Sequence, residues 1–169
     1  MISGPGAALR LVSPRRHADR FSCSGQKGYR PDRKQLAGPF VSLNIVIGIA
    51  TAGRPSILPE TLRDIERQTR APERIIVCAP AEADFGMARE QAGASTSFLI
   101  GPRGLTRQRN AIITAAGDAD AVLFLDDDFL MAPDYVSMID KAMSDDPSIV
   151  VATGLVLADG IKEIGRAHV

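Results

Sequence analysis

The sequence predicts an α/β domain built on a largely parallel sheet, and two observations carry this prediction. From residue 43 onward, short apolar runs alternate with amphipathic stretches, which is typical of repeated strand–helix units. The first run, residues 44–50, is apolar and β-branched without alternation, as a strand covered on both faces should be. We therefore expect helices on both faces of the sheet.

Further strands are expected where apolar runs recur, namely at residues 74–79, 97–100, 121–125 and 149–157. A first helix is expected over residues 58–69. Its apolar side chains repeat at helical spacing: Leu58, Leu62 and Ile65.

Two more helices follow the later strands. The second comes after the turn at residues 101–104, with Thr106 as its candidate N-cap. Its expected buried residues are Ile112, Ile113 and Ala116. Pro133 opens the third helix, because proline suits a first turn. The apolar stripe of that helix is Val136, Ile139 and Met143.

Charge divides the chain into a basic leader and an acidic domain. Residues 1–42 hold eight Lys and Arg against two Asp and Glu, whereas residues 43–169 hold twelve against eighteen. The leader has no apolar period, so we expect either a disordered segment, similar in composition to a transit peptide, or residues preceding a true start near Val41 or Leu43. Residues 43–160 are the expected domain. Residues 161–169 break its pattern and are expected to be a non-native or truncated tail.

Composition also indicates what the domain needs for stability and in which compartment it is expected. With 169 residues, of which 45% are hydrophobic, the chain can bury a core without disulfides or structural metals. Its two cysteines, Cys23 and Cys78, indicate neither a disulfide framework nor a Cys/His metal site, which fits a reducing cytoplasmic location. The apolar runs are too short to span a bilayer. Only the basic leader offers a surface to nucleic acid or anionic lipid, and no nucleic-acid partner is expected for the domain.

Three consecutive carboxylates, Asp126, Asp127 and Asp128, follow the strand expected at residues 121–125. Carboxyl ends of parallel strands are where α/β proteins bind ligands. In extended backbone residues i and i+2 share a side, so Asp126 and Asp128 are expected to face one centre and Asp127 to point away or toward a neighbouring loop. Such close like charges call for a cation, and carboxylate oxygens suit Mg²⁺ or Mn²⁺ shared with substrate phosphates.

The alternative is a solvated acidic loop that binds nothing. Two other acidic motifs do not fit. An EF-hand loop requires glycine where Met131 stands, and a dehalogenase-type nucleophile is expected after the first strand rather than the fourth. The position directly after a buried strand favours a metal site bound together with a diphosphate.

Four segments in this order resemble the family 2 glycosyltransferases, over about residues 44–157. Residues 49–55 (IATAGRP) are similar to that family's first-strand loop, which usually ends TYNRP. Residues 60–69 (ETLRDIERQT), followed by residues 72–77 (PERIIV), are similar to its first helix and second strand. Residues 104–111 (GLTRQRNA) resemble its GxxxARN segment, and residues 124–135 (FLDDDFLMAPDY) its Asp-x-Asp loop and following helix.

The resemblance implies a GT-A fold, a Rossmann-like and mostly parallel sheet with helices on both faces, here incomplete at its C-terminus. It implies metal-assisted and inverting transfer of a sugar from a nucleotide-diphosphate sugar to an acceptor hydroxyl. The acceptor would be a saccharide, a lipid-linked molecule or a protein. In that family the general base lies beyond the part this chain covers. Peripheral association with the cytoplasmic face of a membrane, through regions outside the chain, is compatible with it.

The resemblance also assigns roles to individual residues. Asp126 and Asp128 are the implied ligands of Mn²⁺ or Mg²⁺. The implied donor-binding residues are Thr51, Arg54, Arg109, Asp126 and Asp127. For Arg54 and Arg109 the alternative is an ordinary surface ion pair.

The chain departs from the family pattern at two places. The family often has an acidic residue after the second strand that recognises the nucleotide base, but residues 78–81 are Cys-Ala-Pro-Ala. Ala52 stands where its first loop usually has tyrosine. Glu82 or Asp84 are candidate substitutes, although an exposed acidic loop explains them as well.

Two other functions remain open. A nucleotidyltransferase with a GT-A fold is one, but such enzymes usually carry a Gly-rich, basic loop after the first strand, and residues 51–54 hold one glycine and one arginine. An inactive fragment that binds a nucleotide sugar is the other. 

Overall fold

The structure is a computed structural model of the chain and describes residues 9–12 and 42–154. The strands are β1 (Leu9–Val12), β2 (Ile45–Ala50), β3 (Arg74–Ala79), β4 (Thr96–Ile100), β5 (Ala121–Asp126) and β6 (Val151–Gly154). The helices are α1 (Leu58–Glu66), α2 (Ala88–Gln91), α3 (Leu105–Ala116) and α4 (Tyr135–Asp145), with a 3₁₀ turn at Glu82–Asp84.

Strands β2 to β5 form one parallel sheet in the order β4-β3-β2-β5. The chain therefore moves outward from β2 in one direction to β4 and then crosses back to place β5 on the other side of β2. This order confirms the expected α/β class with a mostly parallel sheet.

The two faces of β2 explain its uninterrupted apolar sequence. Ile45, Ile47 and Ile49 pack in the core cluster that contains residues of α1 and α4. Val46, one position along, packs with Ile112 of α3 on the opposite face. These four side chains are fully buried. Because successive side chains of a strand point to opposite faces, a strand covered by helices on both sides has no polar position.

Helix α1 ends at Glu66, three residues before the expected end. Beyond it, the side chain of Gln68 bonds to the segment where α4 begins: its Nε2 donates to the carbonyl of Ala132 at 2.8 Å and its Oε1 accepts from the amide of Val136 at 3.1 Å. The amide of Thr69 also donates to the carbonyl of Pro133 at 2.8 Å. Tertiary hydrogen bonds to the start of α4 thus replace the last turn of α1.

Helix α3 corrects two expectations. Its N-cap is Gly104, with φ +123° and no side-chain cap, so Thr106 lies inside the first turn and does not cap the helix. Ile112 is buried, but Ile113 is 52% exposed, because adjacent residues of a helix point about 100° apart. The buried stripe of α3 therefore excludes Ile113.

The strand expected at residues 149–157 is present only in part. Residues 151–154 form β6, which pairs antiparallel with β1 instead of joining the parallel sheet. Residues 155–157 lie outside the described residues, as does the tail at 161–169. Strand β1 falls in the leader expected to be disordered and is a four-residue exception. For the rest of that leader the expectation stays a prediction.

A cavity of about 440 Å³ runs beside β5, between that strand, α4 and β6. Leu123, Tyr135 and Val151 are among its lining residues, and the three consecutive aspartates are not. Among the described residues, the helices are all too short or too polar to cross a membrane.

Asp140 on α4 anchors the residues that lie just before β2. Its side chain is 6% exposed, and its carboxylate accepts from Arg70 Nε at 2.7 Å, from the amide of Leu43 at 3.1 Å and from the hydroxyl of Ser42 at 3.0 Å. Burial acts to raise the pKa of Asp140, but these three donors outweigh it, so the pKa lies below its ordinary value.

The Asp140 anchor predicts a pH-dependent stability. Because folding lowers the pKa of Asp140, its contribution is present above the unfolded-state pKa of about 3.9 and is lost as pH falls through the folded-state value. At pH 7, Asp140→Asn should lower the free energy of unfolding by about 1.5–3 kcal/mol. Urea titrations at several pH values should show this difference shrinking below about pH 4. Asp145→Asn, which removes an exposed pair with Lys141, is the control. A difference that is as large at pH 3 as at pH 7 would contradict the assignment.

Gly48 on β2 leaves room for Ile112 of α3, so that the effects of substitutions at residues 48 and 112 should depend on each other. A Cβ at residue 48 would lie 2.6 Å from Cγ2 of Ile112 and 3.2 Å from the ring of Phe124. Gly48→Ala should therefore destabilise the protein by about 1–3 kcal/mol in urea unfolding. Combined with Ile112→Ala, the loss should be smaller than the sum of the two single losses, because the clashing methyl is gone. Gly93→Ala, whose Cβ would meet only the flexible end of Glu66, should be nearly neutral. Strict additivity of the two core changes would refute the clash.

Candidate functional site

The carboxyl ends of β2 and β5 lie side by side at the point where the strand order reverses. Ala50 pairs with Asp126 in the parallel register, so the loop after β2 begins directly beside the aspartate triad, residues 126–128. In the sheet, β3 lies on one side of β2 and β5 lies on the other. Such a switch point opens a crevice and is where open α/β sheets bind ligands.

Asp127, the middle residue of the aspartate triad, is buried and holds the loop after β2. Its side chain is 2% exposed. Oδ2 accepts from the hydroxyl of Thr51 at 2.6 Å, and Oδ1 contacts Nη2 of Arg54. Its backbone carbonyl accepts from the hydroxyl of Thr61 on α1. Asp127 thus points toward the neighbouring loop, and its predicted contact with a donor stays a prediction.

Asp126 and Asp128 differ from Asp127 in being exposed. Their side chains are 68% and 53% accessible, and each has one guanidinium partner. Nη1 of Arg54 donates to Asp128 Oδ2 at 2.8 Å, and Nη2 of Arg109 lies 3.4 Å from Asp126 Oδ1. Asp127 is therefore turned inward while the outer carboxylates face solvent, but the backbone is a turn at residues 127–128, closed by the Phe129 amide on the Asp126 carbonyl at 3.1 Å, and not the extended chain that the expectation assumed. That Asp126 and Asp128 face one centre stays a prediction.

The two arginines reach the triad from different elements. Arg54 comes from the loop after β2, and the pKa of its guanidinium is raised by the hydrogen bond to Asp128 first and the charge of Asp127 second. Arg109 lies on α3, with its guanidinium carbon 5.5 Å from the centre of the Phe124 ring, a distance that allows a cation–π contact. Both arginines form ion pairs, as the alternative interpretation held, but their partners are the predicted metal ligands themselves.

The outer carboxylates suit a divalent cation that brings other ligands with it. Within residues 42–154 there is no group of three or more His, Cys, Asp or Glu side chains placed to hold a metal. Asp126 and Asp128 supply two exposed carboxylates, which are hard oxygen donors, at the carboxyl end of β5. This is the donor set typical of Mg²⁺ and similar ions, which take one or two carboxylates and complete their shell with water and substrate phosphates. The donor set therefore fits a shared metal rather than a metal caged by protein.

Two buried polar residues that support the site were not identified from the sequence. Gln108 on α3 is 3% exposed, and its Nε2 donates at 2.8 Å to the carbonyls of Thr51 and Cys78, which ties α3 to the ends of β2 and β3. Thr61 on α1 is 1% exposed. A signal was present for both, because each falls on the apolar stripe of its helix: Gln108 lies four residues before Ile112, and Thr61 three residues after Leu58.

Asp84 has a structural task in the loop after β3. Its carboxylate accepts from the amide of Gly53 at 2.8 Å and from the amide of Ala81 at 3.2 Å. Gly53 has φ +73°, a conformation that glycine adopts without strain. Glu82 pairs with Arg89 at 2.7 Å. Both acidic residues that were candidates for base recognition therefore have partners in the protein, and Asp84 shapes the same loop that carries Arg54.

A scan against models of protein families matches none to this chain, and a search of curated proteins finds no similar sequence. The resemblance to family 2 glycosyltransferases therefore depends on the four sequence segments described above, and its functional content is a proposal.

The unequal burial of the triad predicts unequal stability effects. Asp127→Asn removes the charge that faces Arg54 in a buried setting and should lower the free energy of unfolding by about 1.5–3 kcal/mol. Asp128→Asn removes a contact at a half-exposed carboxylate and should cost less than about 1 kcal/mol. Urea denaturation of the two variants provides the comparison. Equal losses would mean that Asp127 does not anchor the loop.

Proposed function

We propose that residues 43–160 are the nucleotide-sugar-binding domain of a glycosyltransferase with a GT-A fold. One observation carries the proposal: two exposed carboxylates, Asp126 and Asp128, stand with two guanidiniums at the switch point of a parallel sheet. A ligand that bears several negative charges and travels with a divalent cation complements this mixture of charges. The diphosphate of a nucleotide sugar is such a ligand.

The chain's own residues would divide the work as follows. Asp126 and Asp128 would hold Mn²⁺ or Mg²⁺ against the diphosphate. The bound cation would neutralise charge on the departing nucleoside diphosphate as the sugar is transferred to an acceptor hydroxyl. Arg109, which is only loosely paired with Asp126, is placed to donate to phosphate oxygens, which a planar guanidinium binds with two parallel hydrogen bonds.

Thr51 and Asp127 would act on the loop rather than on the donor. The Thr51 hydroxyl is already donated to Asp127, and the Thr51 carbonyl accepts from Gln108. These bonds fix the start of the loop that presents Arg54. We infer that the nucleotide would rest against this fixed loop, with Arg54 at its edge.

The proposal predicts metal-dependent binding of a nucleoside diphosphate by the whole chain. Isothermal titration with UDP, GDP and dTDP should show binding of at least one of them in the presence of Mn²⁺ and little without it, because the two carboxylates repel a bare diphosphate. Asp126→Asn/Asp128→Asn should weaken this binding by about tenfold or more, since even outer-shell changes at metal sites cost that much.

The matched control is Asp118→Asn, which neutralises an exposed aspartate three residues before β5 begins, at the opposite end of that strand from the triad. It should bind as the unaltered chain does. Binding that needs no metal, or that survives the double substitution, would refute the proposed site. A marked preference for UTP over UDP would instead favour nucleotidyl transfer, in which a triphosphate is the substrate.

A further inference from the structure

Arg54 bridges two aspartates whose surroundings are very different. Its Nη2 contacts Oδ1 of Asp127, and its Nη1 donates to Oδ2 of Asp128 at 2.8 Å. The side chain of Asp127 is 2% exposed and that of Asp128 is 53% exposed. The guanidinium of Arg54 therefore makes one buried contact, to Asp127, and one solvent-exposed contact, to Asp128.

The two contacts differ in how easily they break. An exposed ion pair is weak because water and salt compete with it. Removing the partner of a buried carboxylate is much less favourable, because the charge left behind cannot be solvated. When another charge competes for Arg54 or for its partners, the Asp128 contact should yield first and the Asp127 contact should persist.

Arg54 does not release Asp128 by losing a proton, since a guanidinium stays charged at every pH at which the protein is folded. Another cation at the carboxylate can release it. We propose that Arg54 is a built-in counter-ion that occupies Asp128 until a divalent cation takes its place, while Asp127 keeps the displaced guanidinium beside the site. This inference rests on the proposed function, because it takes Asp128 as a metal ligand.

The exchange gives Arg54 a new partner in place of Asp128. Once Nη1 leaves Asp128, its N–H groups are free to donate to an oxygen of the diphosphate, while Nη2 remains on Asp127. The triad and the two arginines together carry three negative and two positive charges. A divalent cation makes this group net positive, which then favours a polyanion. Metal and diphosphate should therefore strengthen each other's binding.

The counter-ion role predicts that loosening Arg54 tightens the binding of metal alone. Mn²⁺ affinity of the full chain, measured by electron paramagnetic resonance of free Mn²⁺ without nucleotide, should rise about two- to fivefold in Arg54→Lys and in Arg54→Gln, the factor that corresponds to losing an exposed ion pair. Lysine retains the charge but lacks the planar fork that reaches both carboxylates. Arg54→Lys therefore separates loss of the bridge from loss of a positive charge.

The diphosphate should respond in the opposite direction. With Mn²⁺ saturating, Arg54→Gln should bind UDP, or whichever diphosphate the unaltered chain binds, about tenfold more weakly, because a charged donor to phosphate is lost. A role confined to folding would lower both affinities together. Circular dichroism and urea unfolding identify a variant that has lost its fold, and Arg54→Lys retains a cation for Asp127.

Two controls complete the experiment. Arg67→Gln removes an arginine that is paired only loosely with Asp64, at 3.9 Å, and should leave Mn²⁺ affinity unchanged. Adding Asp128→Asn to Arg54→Lys should abolish the gain. If Mn²⁺ binding depends on Asp126 and Asp128 but Arg54→Lys leaves it unchanged or weaker, the counter-ion role is overturned and the donor site stands. If Mn²⁺ binding in none of these proteins depends on the two aspartates, the proposed function is overturned as well.

Discussion

The parallel pairing of β2 with β5, in the register that sets Ala50 beside Asp126, is the constraint on which the candidate site depends. It brings the loop after the first strand of the sheet against a triad seventy-odd residues later in the chain, so that Thr51 and Asp127 meet across a sequence separation of 76 residues. Strand β2 is covered on both faces and lies in the interior of the sheet. A central strand has two neighbours, and here they are β3 and β5.

Three consecutive aspartates lie in two different environments because β5 ends at Asp126 and the chain turns at residues 127–128. The middle carboxylate turns inward, where a hydroxyl and a guanidinium compensate its burial. The outer two turn to solvent and remain available to ligands. An acidic run that looks uniform in sequence thus contains one residue that organises the loop and two that offer oxygen donors.

Arg54 connects these two functions, since it contacts both the inward and one of the outward carboxylates. Gln108 likewise links two strands, because its side-chain amide donates to carbonyls at the ends of both β2 and β3. The site is held by side chains from α1, α3 and the loop after β2 in addition to the sheet. Its geometry is therefore sensitive to packing in both layers of helices.

Strong periodic patterns were sufficient for the architecture. The apolar runs located the four parallel strands to within about one residue, and β3 was located at the same residues. The helix expected at residues 58–69 was found but ended at Glu66, and the amide of Thr69 donates instead to the carbonyl of Pro133 just before α4. Of the strand expected at residues 149–157, residues 151–154 form β6, which pairs with β1 from the leader. Boundaries and pairings of this kind depend on partners far along the chain.

For the site, local sequence determined which residues would be present at the sheet edge, because a carboxylate run directly after a buried strand must emerge at its carboxyl end. The expectation that Asp127 points away or toward a neighbouring loop relied on extended backbone, whereas residues 127–128 form a turn and Asp127 contacts Thr51 in the loop after β2. Only the tertiary structure decided that Asp127 is buried, that Arg54 bridges it to Asp128, and that Gln108 and Thr61 support the loop. These contacts join residues 30 to 76 positions apart, and their partners are set by how helices pack across the sheet, which no local pattern encodes.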